Sequence, residues 1–291
     1  MPTRDLLATI PDPDVLLQDV APEELGVWDI RAEDAISGLI SKGPTHGGDD
    51  LDSLIALMHR VPLFADAYVA LSHGPVTKGE RGILLSRAVR AGEAYVRART
   101  QGLIMWWRDI VTRPYMRASA ALALHCAQMG RMGDAIDQLK ALLILNPHDD
   151  QGVREALIGF LVQEKRWGEA VQIISGFSRD TDVVALYARV LIAWQDERED
   201  DPSRGHYPRA EAALHRALSV NALFAAALGD TEIFELAPGV MLGEHKDDVA
   251  IASLGALRNA WEAQPEALGW LFLHTLKQLH DLSRAPLQQA A

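Results

Sequence analysis

The chain has 291 residues, 48% of them hydrophobic and 23% charged, with a formal net charge of −12; this length buries a sizeable core as one extended domain or two small ones. Its single cysteine, Cys126, excludes an intrachain disulfide framework and a cysteine-based zinc site, and it suits a reducing compartment. The overall acidity argues against broad nucleic-acid binding, no stretch of about 18 apolar residues offers a membrane span, and the start of the chain lacks the apolar run of a secretory signal. A cytoplasmic protein without a membrane contact is expected.

The charge is unevenly spread. Residues 1–60 hold 12 acidic and 4 basic residues, a net of −8. Residues 78–117 hold Lys78, Arg81, Arg87, Arg90, Arg97, Arg99, Arg108, Arg113 and Arg117 against Glu80, Glu93 and Asp109, a net of +6. Such a stretch attracts nucleic acid or an acidic peptide, or it is neutralised by the acidic N-terminal segment. Both readings are open from the sequence, and internal neutralisation is the simpler.

Residues 1–50 are rich in Asp, Glu, Pro and Gly. They read as a partly ordered acidic cap, with short helices at 22–28 and 32–40 and a loop over 42–48. From Leu51 the chain becomes regular. Leu51, Leu54, Ile55 and Met58 fall on one face of an amphipathic helix that ends before Pro62. Residues 65–71 and 80–99 predict a helix pair broken at His73-Gly74-Pro75. Residues 101–114 interrupt the period and carry Trp106 and Trp107, which are most simply wedges between helix pairs and alternatively an exposed aromatic surface. Pro114 favours the first turn of a new helix.

The most regular unit runs from Tyr115 to Asp149. Its helical pattern stops at Gly130, resumes at Ala135 and closes at Asn146-Pro147, with Ala123 and Ala135 as small residues at close helix contacts. Two antiparallel helices in about 34 residues is the period of a tetratricopeptide repeat. A further unit spans 150–182, with Asp149 or Asp150 as the expected helix cap, Val153, Leu157 and Phe160 on one face, a turn at Glu164-Lys165-Arg166, and Ala170 in the close-packing position. A helix at 182–194 follows. Residues 195–206 read as a charged inserted loop, and 207–220 as a helix with Ala210, Leu214 and Ala217 inward and Asn221 in the place of Asn146. Beyond it come a short apolar piece at 222–228, a loop at 238–245, helices at 248–263 and 266–282, and a frayed tail from Arg284.

The expected fold is all-α: a right-handed solenoid of tetratricopeptide-type helix pairs with atypical terminal caps, occupying 51–282 between the acidic segment 1–50 and the tail 283–291. Units of this kind bury their apolar faces only by stacking. Three strings add a resemblance. They are Trp106-Trp107 followed by Thr112-Arg113-Pro114-Tyr115-Met116-Arg117, then Asn146-Pro147-His148-Asp149-Asp150-Gln151-Gly152-Val153-Arg154, and Ala260-Trp261-Glu262-Ala263-Gln264-Pro265-Glu266-Ala267-Leu268-Gly269-Trp270-Leu271. Over about residues 100–272 the chain resembles bacterial tetratricopeptide proteins related to the suppression-of-tumorigenicity seven family. The resemblance implies a helical solenoid with an interaction role, and it carries over no catalytic residue.

No chemistry-bearing motif is present. There is no phosphate-binding Gly-rich loop, no His-Glu-x-x-His, no paired histidines at i and i+4, and no serine nucleophile elbow. His148-Asp149-Asp150 reads as an inter-repeat turn rather than a metal site. No cofactor or metal is expected, and an enzyme is not. The remaining constellation is Arg113, Arg117, Gln151 and Arg154, at or near the starts of consecutive first helices. Cations there oppose the helix dipole. They read as groove residues for a carboxylate, a phosphate or an acidic peptide, or as bridges between repeats to Asp109, Asp149, Asp150 or Glu155. The function expected is a non-catalytic adaptor that holds a protein or peptide. The alternatives are a nucleic-acid-associated accessory protein using residues 78–117, or a sensor of a phosphate-bearing small ligand.

Overall fold

The structure, a computed structural model, describes residues 6–19, 30–41, 48–100, 104–176, 182–201, 205–228 and 248–288. Among them every regular element is a helix. They are α1 (Leu6–Thr9), α2 (Pro13–Asp19), α3 (Ile30–Ser41), α4 (Gly48–Arg60), α5 (Ala65–Ser72), α6 (Lys78–Arg99), α7 (Arg113–Gln128), α8 (Met132–Leu145), α9 (Val153–Gln163), α10 (Trp167–Gly176), α11 (Val183–Asp200), α12 (Pro208–Val220), α13 (Leu223–Ala227), α14 (Asp248–Glu262) and α15 (Pro265–Gln288). No described helix is long and apolar enough to cross a membrane. The expectations at 22–28, 42–47 and 238–245 lie outside the described residues. The chain divides into two compact units, Met1–Gln151 and Gly152–Ala291. That boundary falls inside the region that the sequence reads as one repeat array.

In the first unit, α5, α6 and α7 pack in sequence order. Thr77 opens α6 with a capping box, its hydroxyl accepting from the Glu80 N–H while the Glu80 carboxylate accepts from the Thr77 N–H. Gly92 sits where the three helices meet. A Cβ added there would lie 2.8 Å from the Tyr115 Cα and 3.2 Å from the Ala65 Cβ. At the other end of α6, Arg81 donates to the Ser72 carbonyl at 2.8 Å, and Gly82 faces His125, whose Nε2 would lie 3.0 Å from an added Cβ. The pairings 65 with 92 and 72 with 81 make α5 and α6 antiparallel. The pairings 92 with 115 and 82 with 125 do the same for α6 and α7, so α5 and α7 run parallel. The turn to α8 passes through Gly130 at φ 76°, a left-handed conformation that suits glycine. Ala123 and Ala135 are fully buried, in the small-residue positions read from the sequence.

The acidic N-terminal residues belong to this unit. Asp12 pairs with Arg87 at 2.6 Å and Asp14 with Arg90 at 2.8 Å. Within α6, Arg97 pairs with Glu93 at 2.5 Å. The acidic N-terminal segment thus meets Arg87 and Arg90 of the basic stretch.

The second unit centres on α9, whose residues Val153, Arg154 and Ala156 through Val162 are all buried. Helices α10, α11 and α14 pack around it. The approach of α14 is closest at Gly159, where an added Cβ would lie 2.9 Å from the Ser253 carbonyl oxygen and 3.1 Å from the Ala256 Cβ. Helix α9 begins at Val153 behind Gly152 (φ 80°). Asp149, one of the two residues expected to cap it, takes a left-handed turn at φ 53°.

The charged run 195–206 is also corrected. Helix α11 continues to Asp200, because Glu197 is 1% exposed and has a structural task. Its carboxylate accepts the Arg209 N–H at 3.1 Å and the Ala210 N–H at 2.9 Å. It thereby satisfies the orphan donors that open α12. At the far end of the same pair, the Tyr187 hydroxyl donates to the Asn221 carbonyl at 2.6 Å. Helix α15 runs to Gln288, past the Arg284 at which the sequence places a tail.

Two outcomes follow for stability. Gly159→Ala forces a Cβ against backbone and is expected to destabilise by about 1–3 kcal/mol. Gly255→Ala, on α14 with nothing within 4 Å of the added Cβ, is expected to stabilise by roughly 0.5–1 kcal/mol; urea unfolding of the two variants checks the contrast. The second outcome concerns pH. Burial, then Arg81, Arg131 and Lys78, pushes the His125 imidazole below its ordinary value of 6.5. Folded His125 therefore binds fewer protons than unfolded His125, so stability present above 6.5 is lost as pH falls below it toward the folded value. Melting temperature is expected to drop between about pH 7 and pH 5, and His125→Gln to remove part of that drop.

Candidate functional site

The residues before α7 form a tightly bonded turn. Thr112 is fully buried. Its hydroxyl donates to the Asp109 carbonyl at 2.7 Å and accepts the Trp107 N–H at 3.0 Å. Arg113 donates from Nε to the Trp107 carbonyl at 2.8 Å. Both main-chain groups of Trp107 are thus held, and between them the residue takes φ 66°. A left-handed backbone at a bulky side chain is a genuine outlier. It costs on the order of 1–3 kcal/mol and persists only where the surroundings over-determine it.

The strain presents an aromatic and basic surface. The Arg113 guanidinium lies over the Trp107 ring at 5.6 Å from its centroid. The Trp106 ring meets Tyr115 at 5.5 Å, and the close approach at Gly92 fixes the backbone of Tyr115. Trp106, Trp107, Arg113 and Tyr115 are all half-buried, and Arg117 is exposed. Both tryptophans are thus only partly buried. Each rests on a residue from the first turn of α7.

Arg117 forms a two-pronged pair with Asp66 of α5, Nε to Oδ1 at 3.0 Å and Nη2 to Oδ2. Its side chain remains 45% exposed. Gln151 donates to the Met116 carbonyl at 2.9 Å and so ties the chain after α8 to the same helix. Arg113, Arg117 and Gln151 thus all engage the start of α7. Arg154 belongs to the second unit and differs from them. Its side chain is 7% exposed and lies 3.5 Å from Asp182, which is 3% exposed. Asp182 also caps α11 by accepting the Ala185 N–H at 3.1 Å, so Arg154 joins α9 to the cap of α11. Asp66 and Asp182 are partners beyond those that the sequence nominates for these arginines. Their distance along the chain, 51 residues for Arg117 and Asp66, leaves no local signal.

The surface of α9 in the second unit is covered by the chain's own α14, with Leu254, Ala256, Leu257, Ala260 and Trp261 buried. Among the described residues, that helix is buried along almost its whole length. Cys126 is buried, and burial pushes its thiol up while Arg131, donating to Sγ at 2.8 Å, opposes the shift. Among the described residues no group of His, Cys, Asp and Glu side chains is arranged to hold a metal ion, and that includes His148-Asp149-Asp150.

The two arginines separate on stability. Arg117→Ala, in an exposed pair, is expected to change unfolding free energy by about 0–1 kcal/mol. Arg154→Ala leaves a buried carboxylate without its cation and is expected to cost about 3–5 kcal/mol; denaturant titration of both variants checks the difference. In comparison with known proteins, no family model matches the chain, and neither a curated protein nor a solved structure does.

Proposed function

We propose that this protein is a non-catalytic adaptor built from tetratricopeptide-type helix pairs, and that it holds a protein or peptide on the aromatic and basic platform at the start of α7. The observation that carries the reading is Trp107. Its strained backbone is clamped on both sides, yet the residue is only partly buried beside Arg113. Strain kept at a surface aromatic is better explained by binding than by packing. Tryptophan and arginine are also the side chains that most often dominate binding energy at interfaces. The guanidinium groups favour a partner with carboxylates.

The repeat reading is supported by the parallel course of α5 and α7 with antiparallel partners between them, by the small-residue contact at Ala65 and Gly92, and by the recurrence of Asn146 and Asn221 as C-caps of α8 and α12. The likeness of the Thr112–Arg117 and Asn146–Arg154 strings to relatives of the suppression-of-tumorigenicity seven family points the same way. A cytoplasmic location agrees with the one free, buried thiol. The rival reading of residues 78–117 as a nucleic-acid surface is weakened by the pairing of Arg87, Arg90, Arg97 and Arg117 with carboxylates.

The test is Trp107→Gly. Glycine relieves a left-handed conformation, so the change is expected to leave melting temperature unchanged or raise it, while binding of the native partner, isolated by affinity capture and identified by mass spectrometry, falls by about tenfold or more. A large fall in melting temperature with binding lost only in proportion to unfolding would make the tryptophan a packing residue and remove the platform from consideration.

A further inference from the structure

Helices α1 and α2, with the turn between them, form a strap over α4, α5 and α6. The body holds this strap largely by its main chain. Arg87 donates from Nη1 to the Leu7 carbonyl at 3.1 Å. His59 Nε2 lies 3.0 Å from the Thr9 carbonyl. The Tyr68 hydroxyl, which donates to the Pro62 carbonyl at 2.7 Å, lies 3.3 Å from the Pro11 carbonyl. The body thus meets every second carbonyl, at residues 7, 9 and 11. Two arginines then read two acidic side chains spaced two apart: Asp12 on Arg87 and Asp14 on Arg90. Ile10 is buried between these contacts, and Leu6, Leu7, Leu16 and Leu17 lie against the core.

The strap does not seal the surface it crosses. A cleft of about 310 Å³ remains between its Asp12 and Asp14 and the body residues Gly82, Ser86, Leu122 and Arg131. The Nε of Arg87, which lines this cleft, is buried without a hydrogen-bond partner among the described residues. The outer pair, Arg90 with Asp14, is more than half exposed on both sides. Such a pair is weak and screened by salt. Helices of four and seven residues are too short to persist once detached.

We propose that the surface of α4–α6 under the strap is a peptide-binding seat, and that residues 6–17 are its built-in, exchangeable occupant. Contacts to carbonyls accept any segment with the same backbone path, so the seat selects by its two arginines and by the Ile10 position. The external partner that fits is an acidic segment of the same chemistry, with two carboxylates two residues apart in a proline-flanked stretch and apolar residues on either side. Binding of such a segment displaces the strap. This seat is separate from the platform on α7, and neither reading depends on the other.

The experiment uses the full chain and a fluorescent synthetic peptide of residues 6–18. In the Asp12→Lys/Asp14→Lys variant, amide exchange over residues 6–17 is expected to rise about tenfold with α6 and α7 unchanged, and the peptide to bind at least about tenfold tighter than it binds the wild-type chain. Adding Arg87→Glu and Arg90→Glu is expected to abolish that binding. The wild-type chain gives a second measurement without any substitution: raising salt should speed exchange over residues 6–17 while α6 stays protected. Loss of protection through α4–α6 together with the strap, or a folded release variant that does not bind the peptide, would make the strap a fixed part of the core and overturn the proposal.

Discussion

The contact at Gly92 governs the first unit. Ala65, Gly92 and Tyr115 meet with no room for one further carbon, so α5, α6 and α7 approach at backbone distance. That approach fixes the height of α7 against α5, which brings Arg117 opposite Asp66. It also holds Tyr115 where Trp106 can rest on it. The surface that we assign to binding is therefore set by a buried glycine on a neighbouring helix. Close-packed interiors transmit displacements of a few tenths of an ångström, so the platform and the core are one mechanical object.

Charge is the second organising influence, and it acts in two regimes. Exposed pairs such as Arg97 with Glu93 and Arg90 with Asp14 contribute little to stability, because water screens them and the side chains lose freedom. They do change what the surface offers to a partner. A helix with five arginines and a lysine becomes a place where acidic segments are already met. Buried groups behave differently. Arg154 with Asp182, and Glu197 over the start of α12, are desolvated charges that hold the fold only while their partners are present. Glu197 carries the opening turn of α12 without being part of it, which is why a residue in a charged run lies at 1% exposure.

The second unit differs from a plain stack of helix pairs because α14 lies on α9. Gly159 again admits backbone, and the apolar face of α14 covers the helix that the sequence places along a groove. A chain that fills one such surface with its own helix and straps another with its own N-terminal residues limits where a partner can dock. At the start of α7, partly exposed aromatic residues and guanidinium groups lie together.

The sequence by itself determined the helices and several of their small buried positions. Periodicity located α4 through α12 because an amphipathic helix buries one face whatever it packs against. Ala123, Ala135 and Ala170 were legible as small buried positions for the same reason, whereas the close approaches at Gly92 and Gly159 were not. Pro114, Gly130 and Asn146 marked ends because their backbone limits are local. Local rules failed at 195–200, where helix propensity is satisfied by charged residues and only the fold says that Glu197 turns inward. The candidate site was legible as residue types, Arg113, Arg117 and Gln151 near one helix start, but not as geometry. Which carboxylate meets Arg117, whether Arg154 faces water, and which way the Trp107 backbone turns depend on segments far apart in the chain. Ion pairing and strain are properties of distance in space, and only the tertiary structure decides those.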